Sequence, residues 1–392
     1  MQYTFISDTA ALERFCAKAS ECSALAVDTE FVRTRTLYPQ LGLIQLYDGE
    51  QLVLVDPLKI DDFSSLTALL TNPDVVKVLH SCSEDLETFW HAFNIMPTPI
   101  FDSQFAASIT GMGTSLGYAK LVETMLNVTV DKGESRTDWL ARPLSSEQCA
   151  YAANDVLYLL QLYPQLKAKV EEQGKLAWVY AEIAALASKK QSLLPLDLVY
   201  LGVSHNWQLS GQSLLVLQRL AAWRMETARQ RDMALNFVVK EQNLFEIAKR
   251  QPRSKTALLS IAGINHHEVR IHGEALLAIV EGCQHAPVSS YPPQVVRLTE
   301  YAQYKKASAA VREICAQVAA ELAVPIEIVG SKKQVNQLIS WCWCDLDETQ
   351  ALGLIPDLIS NWRGQYFVPK LKELDDLGLI DKLSRCALES NI

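Results

Sequence analysis

Five residues stand apart for the chemistry that their types and spacing allow: Asp28, Glu30, Asp85, Tyr151 and Asp155. Asp28 and Glu30 close the apolar run Leu25-Ala26-Val27 in the stretch LAVDTEF. In an extended strand residues i and i+2 share a face, so these two carboxylates project together while Thr29 turns the other way. Carboxylates about 7 Å apart along a strand repel unless something positive lies between them. A hard divalent cation relieves that repulsion at neutral pH better than protons do. Asp85 follows the run VVKVLH through SCSE, in the first turn of a helix, where a lone acid is also favoured simply by the macrodipole. Asp155 lies in YAANDV, where Asn154 and Asp155 put two poor helix formers into an otherwise apolar helix. Tyr151 stands four residues earlier, on the same helical face. Each feature alone has a plainer reading as a solvated turn or a helix-end charge. Together the four acids can hold two Mg²⁺ ions about 4 Å apart.

The elements that must position these residues alternate along the first part of the chain. The runs QYTFI, ALAVDTEF, LGLIQLY, QLVLVD and VVKVLH are β-branched and apolar, of strand length. Asp48-Gly49 between the third and fourth marks an antiparallel hairpin. Helical periods fall at Asp8–Ala19, Phe63–Leu70 and Asp85–Phe93, so the sheet is expected to be mixed and the domain α/β. From Ser145 a capping-box pattern, with Gln148 three residues on, opens a long helix that runs to Gly174. After Pro195 no strand pattern returns. The stretch PVSSYPP near Pro287–Pro293 divides this helical region in two, and the resemblance of ALNFVVKEQNLFEIAKRQP to AVPIEIVGSKKQVNQLISW suggests tandem modules.

Of the 392 residues, 49% are apolar and 21% charged, the balance of a soluble globular chain with several cores. The net charge of −9 argues against a wholly basic nucleic-acid binder, yet it suits a chain that grips phosphate through a local patch or bound cations. No run of about 20 apolar residues spans a membrane and no signal-like N-terminus is present, so the expected compartment is the cytoplasm. The nine cysteines form no compact framework, and Cys342-Trp343-Cys344 reads as core thiols rather than a metal or redox pair.

VDTEF, HSCSEDLE and YAANDV resemble the three exonuclease motifs of the tyrosine-containing branch of the DEDD superfamily. The longer stretches DTEFVRTRTLYPQLGLIQL and DKGESRTDWLARPLSSEQCAYAANDVLYLL are similar to the bacterial ribonuclease D family, and the tandem helical modules resemble the paired HRDC domains of that family. The resemblance implies a ribonuclease H-like (DnaQ-like) exonuclease domain at 1–170, a helical linker at 171–208, HRDC-type modules at 209–289 and 294–375, and a tail at 376–392. It implies two-metal hydrolysis at the 3′ end of RNA, with Mg²⁺ or Mn²⁺, releasing nucleoside 5′-monophosphates, and a role on tRNA precursors with single-stranded 3′ tails. Asp28, Glu30, Asp85 and Asp155 are then the metal ligands, with Asp28 shared between the ions. Tyr151 orients the attacking water.

Substrate contacts are expected from Thr29 and Phe31 at the terminal nucleotide, from His80 at a phosphate, and from Lys132 and Arg136 in the loop DKGESRTDW. Trp139 reads better as an anchor of that loop. The first module carries Arg219, Arg224, Arg229, Arg231, Lys240, Lys249, Arg250, Arg253 and Lys255, an RNA-positioning surface by resemblance and a solvated face by composition. His266, His267 and His272 lack partners at ligand spacing and suggest no metal site. A monomer is expected, with the two modules closing a ring or funnel on the nuclease domain. Two other readings remain: a DNA-directed exonuclease, since the acids do not read the sugar, and a silent RNA-binding scaffold, which would need none of them.

Overall fold

The computed structural model describes residues 2–130, 133–134, 136–374 and 377–379. Six strands form one mixed sheet: β1 (Thr4–Ile6), β2 (Ala24–Val32), β3 (Gln40–Tyr47), β4 (Leu52–Val55), β5 (Val76–Leu79) and β6 (Ile100–Asp102), in the spatial order β1-β4-β3-β2-β5-β6. The β2–β3 and β3–β4 pairs are antiparallel and the other three parallel. At the β3–β4 turn the Asp48 carboxylate accepts the amides of Glu50 and Gln51 at 2.8 and 2.6 Å, and Gly49 takes φ +99°. The Asp-Gly pair thus makes the hairpin its composition predicts. Strand β6, of three residues, gave no sequence signal because so short a run carries no period.

Two helical layers cover the sheet. On one face lie α1 (Thr9–Ala19), α2 (Ser64–Thr71) and α3 (Ser83–Phe93), packed on Leu25 and Val27 of β2. On the other lie α4 (Ser103–Ile109), α5 (Tyr118–Leu126) and α6 (Ser146–Glu172), packed on Ala24 and Ala26. Alternation along β2 therefore sends odd-numbered side chains toward α3 and even-numbered ones toward α6. Small Ala24 and Ala26 let α6 approach closely, and α6 starts where the Ser145–Gln148 capping box satisfies its first amides.

Helix α7 (Leu176–Gln191) leaves the nuclease domain and a 3₁₀ segment at Leu196–Gly202 leads into the first module. That module comprises α8 (Gly211–Arg231), α9 (Leu235–Val238), α10 (Glu241–Arg250), α11 (Lys255–Leu259) and α12 (His266–Gln284), around its own core of Leu214, Leu217, Leu244, Ile247 and Leu276. The second comprises α13 (Tyr304–Leu322), α14 (Ile326–Val329), α15 (Lys332–Trp343), α16 (Glu348–Ala351) and α17 (Asn361–Leu371). Its core is continuous with the α6 layer of the nuclease domain.

The modules meet the nuclease domain differently. Trp178 of α7 stacks on Trp362 of α17 at 4.9 Å, and Arg363 forks onto Glu182 at 2.5 and 3.0 Å. Lys175 donates to the carbonyls of Ile109 and Leu322, at 3.0 and 3.1 Å, and Lys189 pairs with Asp357. The first module instead holds the β2–β3 loop. Asp232 accepts the amides of Leu37 and Tyr38, both at 3.1 Å, the Ala234 amide donates to the Arg35 carbonyl at 2.8 Å, and Leu37 packs on the module's core. Among the described residues no single helix is long and apolar enough to cross a membrane.

Candidate active site

Asp28 and Glu30 leave β2 on the α6 side, facing Asp155. One carboxylate oxygen from each of the three lies within 4.8 Å of the others, a grouping that offers oxygen donors alone. Asp85 approaches from the opposite layer, in the first turn of α3. Ser81, at φ +58°, sets the chain's turn from β5 into that helix in a conformation that costs a side-chain-bearing residue energy. All four acids, with Thr29, Phe31, His80, Ser81, Glu84, Tyr118 and Tyr151, line one cleft of about 400 Å³.

The electrostatics of the cleft are those of like charges held apart from water. Burial raises the Asp28 carboxyl well above the usual range, with further upward push from Asp85, Asp155 and Glu30. Glu30 is pushed up to about 9, by burial and then by Asp155 and Asp85. Burial lifts Asp155 to about 7 against the pull of the Tyr151 hydroxyl, and Asp85 to about 6 against a hydrogen bond from Thr29. An all-oxygen donor set that resists ionisation this strongly fits a hard divalent cation, which offsets the charge where no basic side chain does. The Tyr151 phenol is raised as well, by burial and then by Asp155, Glu30 and Asp28, so it stays protonated and acts as a donor.

Thr29 sits where alternation puts it, on the α3 side, but not as strand packing. Its hydroxyl donates to the Asp85 carboxylate at 2.5 Å, and the two residues are only 5% and 7% exposed. Phe31 is re-aimed by a bulge. Glu30 pairs with Leu43 and Phe31 with Leu41, leaving Gly42 as the extra residue of β3. His80 Nδ1 meets the Ser103 hydroxyl at 2.9 Å and the ring lies edge-on to Tyr118. Burial lowers the pKa of His80, which makes it a hydrogen-bonding imidazole rather than a counter-charge for phosphate. Tyr118, not signalled in the sequence, donates to the backbone carbonyls of Asn154 and Asp155, at 2.9 and 2.6 Å, and so ties α5 to the acid-bearing turn of α6. The only hint was its place beside Gly117 at a helix start.

Arg136 is exposed and does not line the cleft; Lys132 lies outside the described residues. Trp139 is the loop anchor: 1% exposed, with its ring 6.2 Å from Tyr151. A Cβ at Gly42 would stand 2.6 Å from the Trp139 carbonyl oxygen, so this close approach requires glycine. Arg142 fastens the same corner. It donates to the carbonyls of Trp139 and Gly42, at 2.8 and 2.6 Å, and binds both oxygens of Asp56, at 2.8 and 2.7 Å.

In the first module Arg224 is buried, donating to the Val239 carbonyl, and therefore drops out of the basic surface. Arg250 and Lys255 pair with Glu246 and Glu274. His272 is buried edge-on against Trp223, and among the described residues the acid trio is the one group with metal-holding spacing. Cys342 is buried within the second module's core.

The chain is similar to known proteins along nearly its whole length. Residues 3–171 match a 3′-5′ exonuclease family model, residues 213–280 an HRDC domain, and residues 302–371 the C-terminal HRDC domain of ribonuclease D. The chain is 44% identical to ribonuclease D of Shewanella sp. over 95% of its length and 94% of the relative's. It is 41% identical to that of Escherichia coli, over 95% and 98%. The crystal structure of E. coli RNase D, an exoribonuclease involved in structured RNA processing, superposes with a TM-score of 0.91 at 40% identity, covering 97% of this chain and 99% of that one. The catalytic core of RRP6 from Trypanosoma brucei superposes at 0.59 and 25% identity, over 72% and 79%.

Proposed function

The chain belongs to the ribonuclease D family, and on that premise we propose that it hydrolyses RNA from the 3′ end, releasing nucleoside 5′-monophosphates. The observation that carries the reading is the convergence of Asp28, Glu30 and Asp155 within 4.8 Å, with Asp85 entering the same cleft from the other side of the sheet. Two divalent cations, Mg²⁺ or Mn²⁺, would supply a nucleophile at neutral pH and offset charge on the leaving oxygen when bound.

Asp28, Glu30 and Asp155 would hold the cation that supplies the nucleophile, and Asp28 with Asp85 would hold the one that offsets charge on the leaving oxygen. Tyr151, kept protonated, aims its hydroxyl beside Asp155 and orients the attacking water in line with the scissile bond. Phe31 and the neutral His80 line the cleft where a terminal nucleotide would lie. A silent scaffold would have no use for four desolvated acids, each of which costs stability.

The natural substrates we assign are tRNA precursors with single-stranded 3′ tails, acted on by a monomer in the cytoplasm. The similarity to an enzyme of structured RNA processing supports the substrate class, and buried single thiols such as Cys16, Cys82 and Cys315 suit a reducing compartment. The helical modules, attached to the nuclease domain at two different places, are suited to contacting a strand on its way to the cleft. Matched RNA and DNA hairpins with 3′ tails, incubated with Mg²⁺, test the assignment. Faster shortening of the RNA tail is expected, and preferential loss of the DNA tail overturns it.

A further inference from the structure

We propose that Thr29 is a positioning residue for the reaction: its hydroxyl fixes one oxygen of Asp85 and leaves the second for a cation. The inference rests on the reading of Asp85 as a metal ligand. Asp85 stands outside the trio that lies within 4.8 Å. It comes from α3, on the opposite face of the sheet from Asp155 on α6, and β2 sends side chains to both layers. Thr29 occupies the one position of Asp28-Thr29-Glu30 that faces α3, and its Oγ1 donates to Asp85 Oδ1 at 2.5 Å in a dry environment. A hydroxyl donor to a carboxylate is a strong, directional contact when desolvated. One three-residue stretch thereby presents two ligands on one face and holds a third ligand in place on the other. Partners that orient ligands in this manner typically tune metal affinity or activity about 10- to 100-fold.

The test uses the full chain with Thr29→Val, which keeps the shape and removes the donor, and Thr29→Ser, which keeps the donor and removes a methyl group. Mn²⁺ binding is followed by electron paramagnetic resonance of the free ion without RNA, alongside the Mn²⁺ concentration giving half-maximal hydrolysis of a 3′-tailed RNA. In Thr29→Val the weaker Mn²⁺ dissociation constant is expected to rise about 10- to 100-fold, with the tighter one within about threefold of wild type. Thr29→Ser is expected to restore the weaker constant to within about threefold. Unchanged Mn²⁺ binding in Thr29→Val overturns the proposal, as does an equal loss in Thr29→Ser, which would mark a packing role. Asp85→Asn separates the premise from the inference. If it leaves the weaker Mn²⁺ intact, the ligand reading of Asp85 fails whatever Thr29 does; if it removes that ion while Thr29→Val does not weaken it, only the inference fails.

Discussion

Two regions of the molecule bury charge, and they do so in opposite ways. At the α7–α17 contact Glu182 meets Arg363, whose remaining donors reach the Val329 and Ile328 carbonyls at 2.9 and 2.8 Å, so the charges cancel and the hydrogen bonds are filled. In the cleft, Asp28, Glu30, Asp85 and Asp155 gather one sign of charge, and three of them are each raised to between about 6 and about 9. A paired charge holds two elements in register, whereas a set of like charges is a liability until a cation binds. The first region positions the second module; the second is suited to holding a cation.

The largest effect that would sharpen this contrast is on activity. Asp28→Asn or Asp155→Asn is expected to lower RNA hydrolysis in Mg²⁺ on the order of 10³-fold while RNA binding, followed by fluorescence anisotropy, survives. Near-wild-type turnover by either variant breaks the assignment of the cleft. Next in size, Arg363→Ala takes the cationic partner from Glu182, which keeps the Trp362 indole donor at 3.0 Å, leaves two carbonyls unmet, and is expected to destabilise the chain by about 2–4 kcal/mol in chemical unfolding. A change below about 0.5 kcal/mol would show that the pair is merely a surface bridge.

The same operation on the cleft should have the opposite sign. Asp155→Asn removes a carboxyl that is costly to ionise, so without metal at pH 8 it is expected to stabilise the chain by about 1–3 kcal/mol. A lower melting temperature for this variant would mean that Asp155 is satisfied in the metal-free fold. The pH dependence follows from the same shifts. A carboxyl whose pKa is raised by folding favours the native state below its unfolded value near 4, and that contribution is lost as pH rises through the folded value. For Asp155 and Glu30 the loss spans roughly pH 4 to 7 and pH 4 to 9. Metal-free melting temperature is therefore expected to fall by several degrees toward pH 9, and added Mg²⁺ to restore most of it.

The smallest effect concerns the other attachment. Asp232→Ala removes a carboxylate that accepts two amides of the β2–β3 loop, and is expected to cost about 1 kcal/mol. Faster amide hydrogen exchange at Leu37 and Tyr38, with the α7–α17 contact unaffected, is the expected signature.

Much of this was legible in the sequence, for reasons that differ by residue. Period-two alternation is enough to put Asp28 and Glu30 on one face, and the i, i+4 relation to put Tyr151 beside Asp155. The Ser145–Gln148 box marks the start of α6 because both halves of the capping exchange are written locally. Thr29 shows where such reasoning stops. Alternation says that it turns away from the acids, and only the packing of α3 on that face reveals that it turns toward another one. Arg224 reads as a surface base and is buried, since its charge is visible in the sequence but the carbonyl that receives it is not. Short elements such as β6 and α4, three and seven residues long, carry too few residues for a period to register.

The corner where Gly42, Trp139 and Arg142 meet has an evolutionary consequence. Two segments distant in sequence share one small volume there, with a backbone carbonyl where any side chain at position 42 would have to go. A substitution at Gly42 can then be accepted only in a lineage whose 139–142 loop has already withdrawn. The two sites are expected to change together among descendants or not at all, so the history of this loop should be readable in paired substitutions rather than single ones.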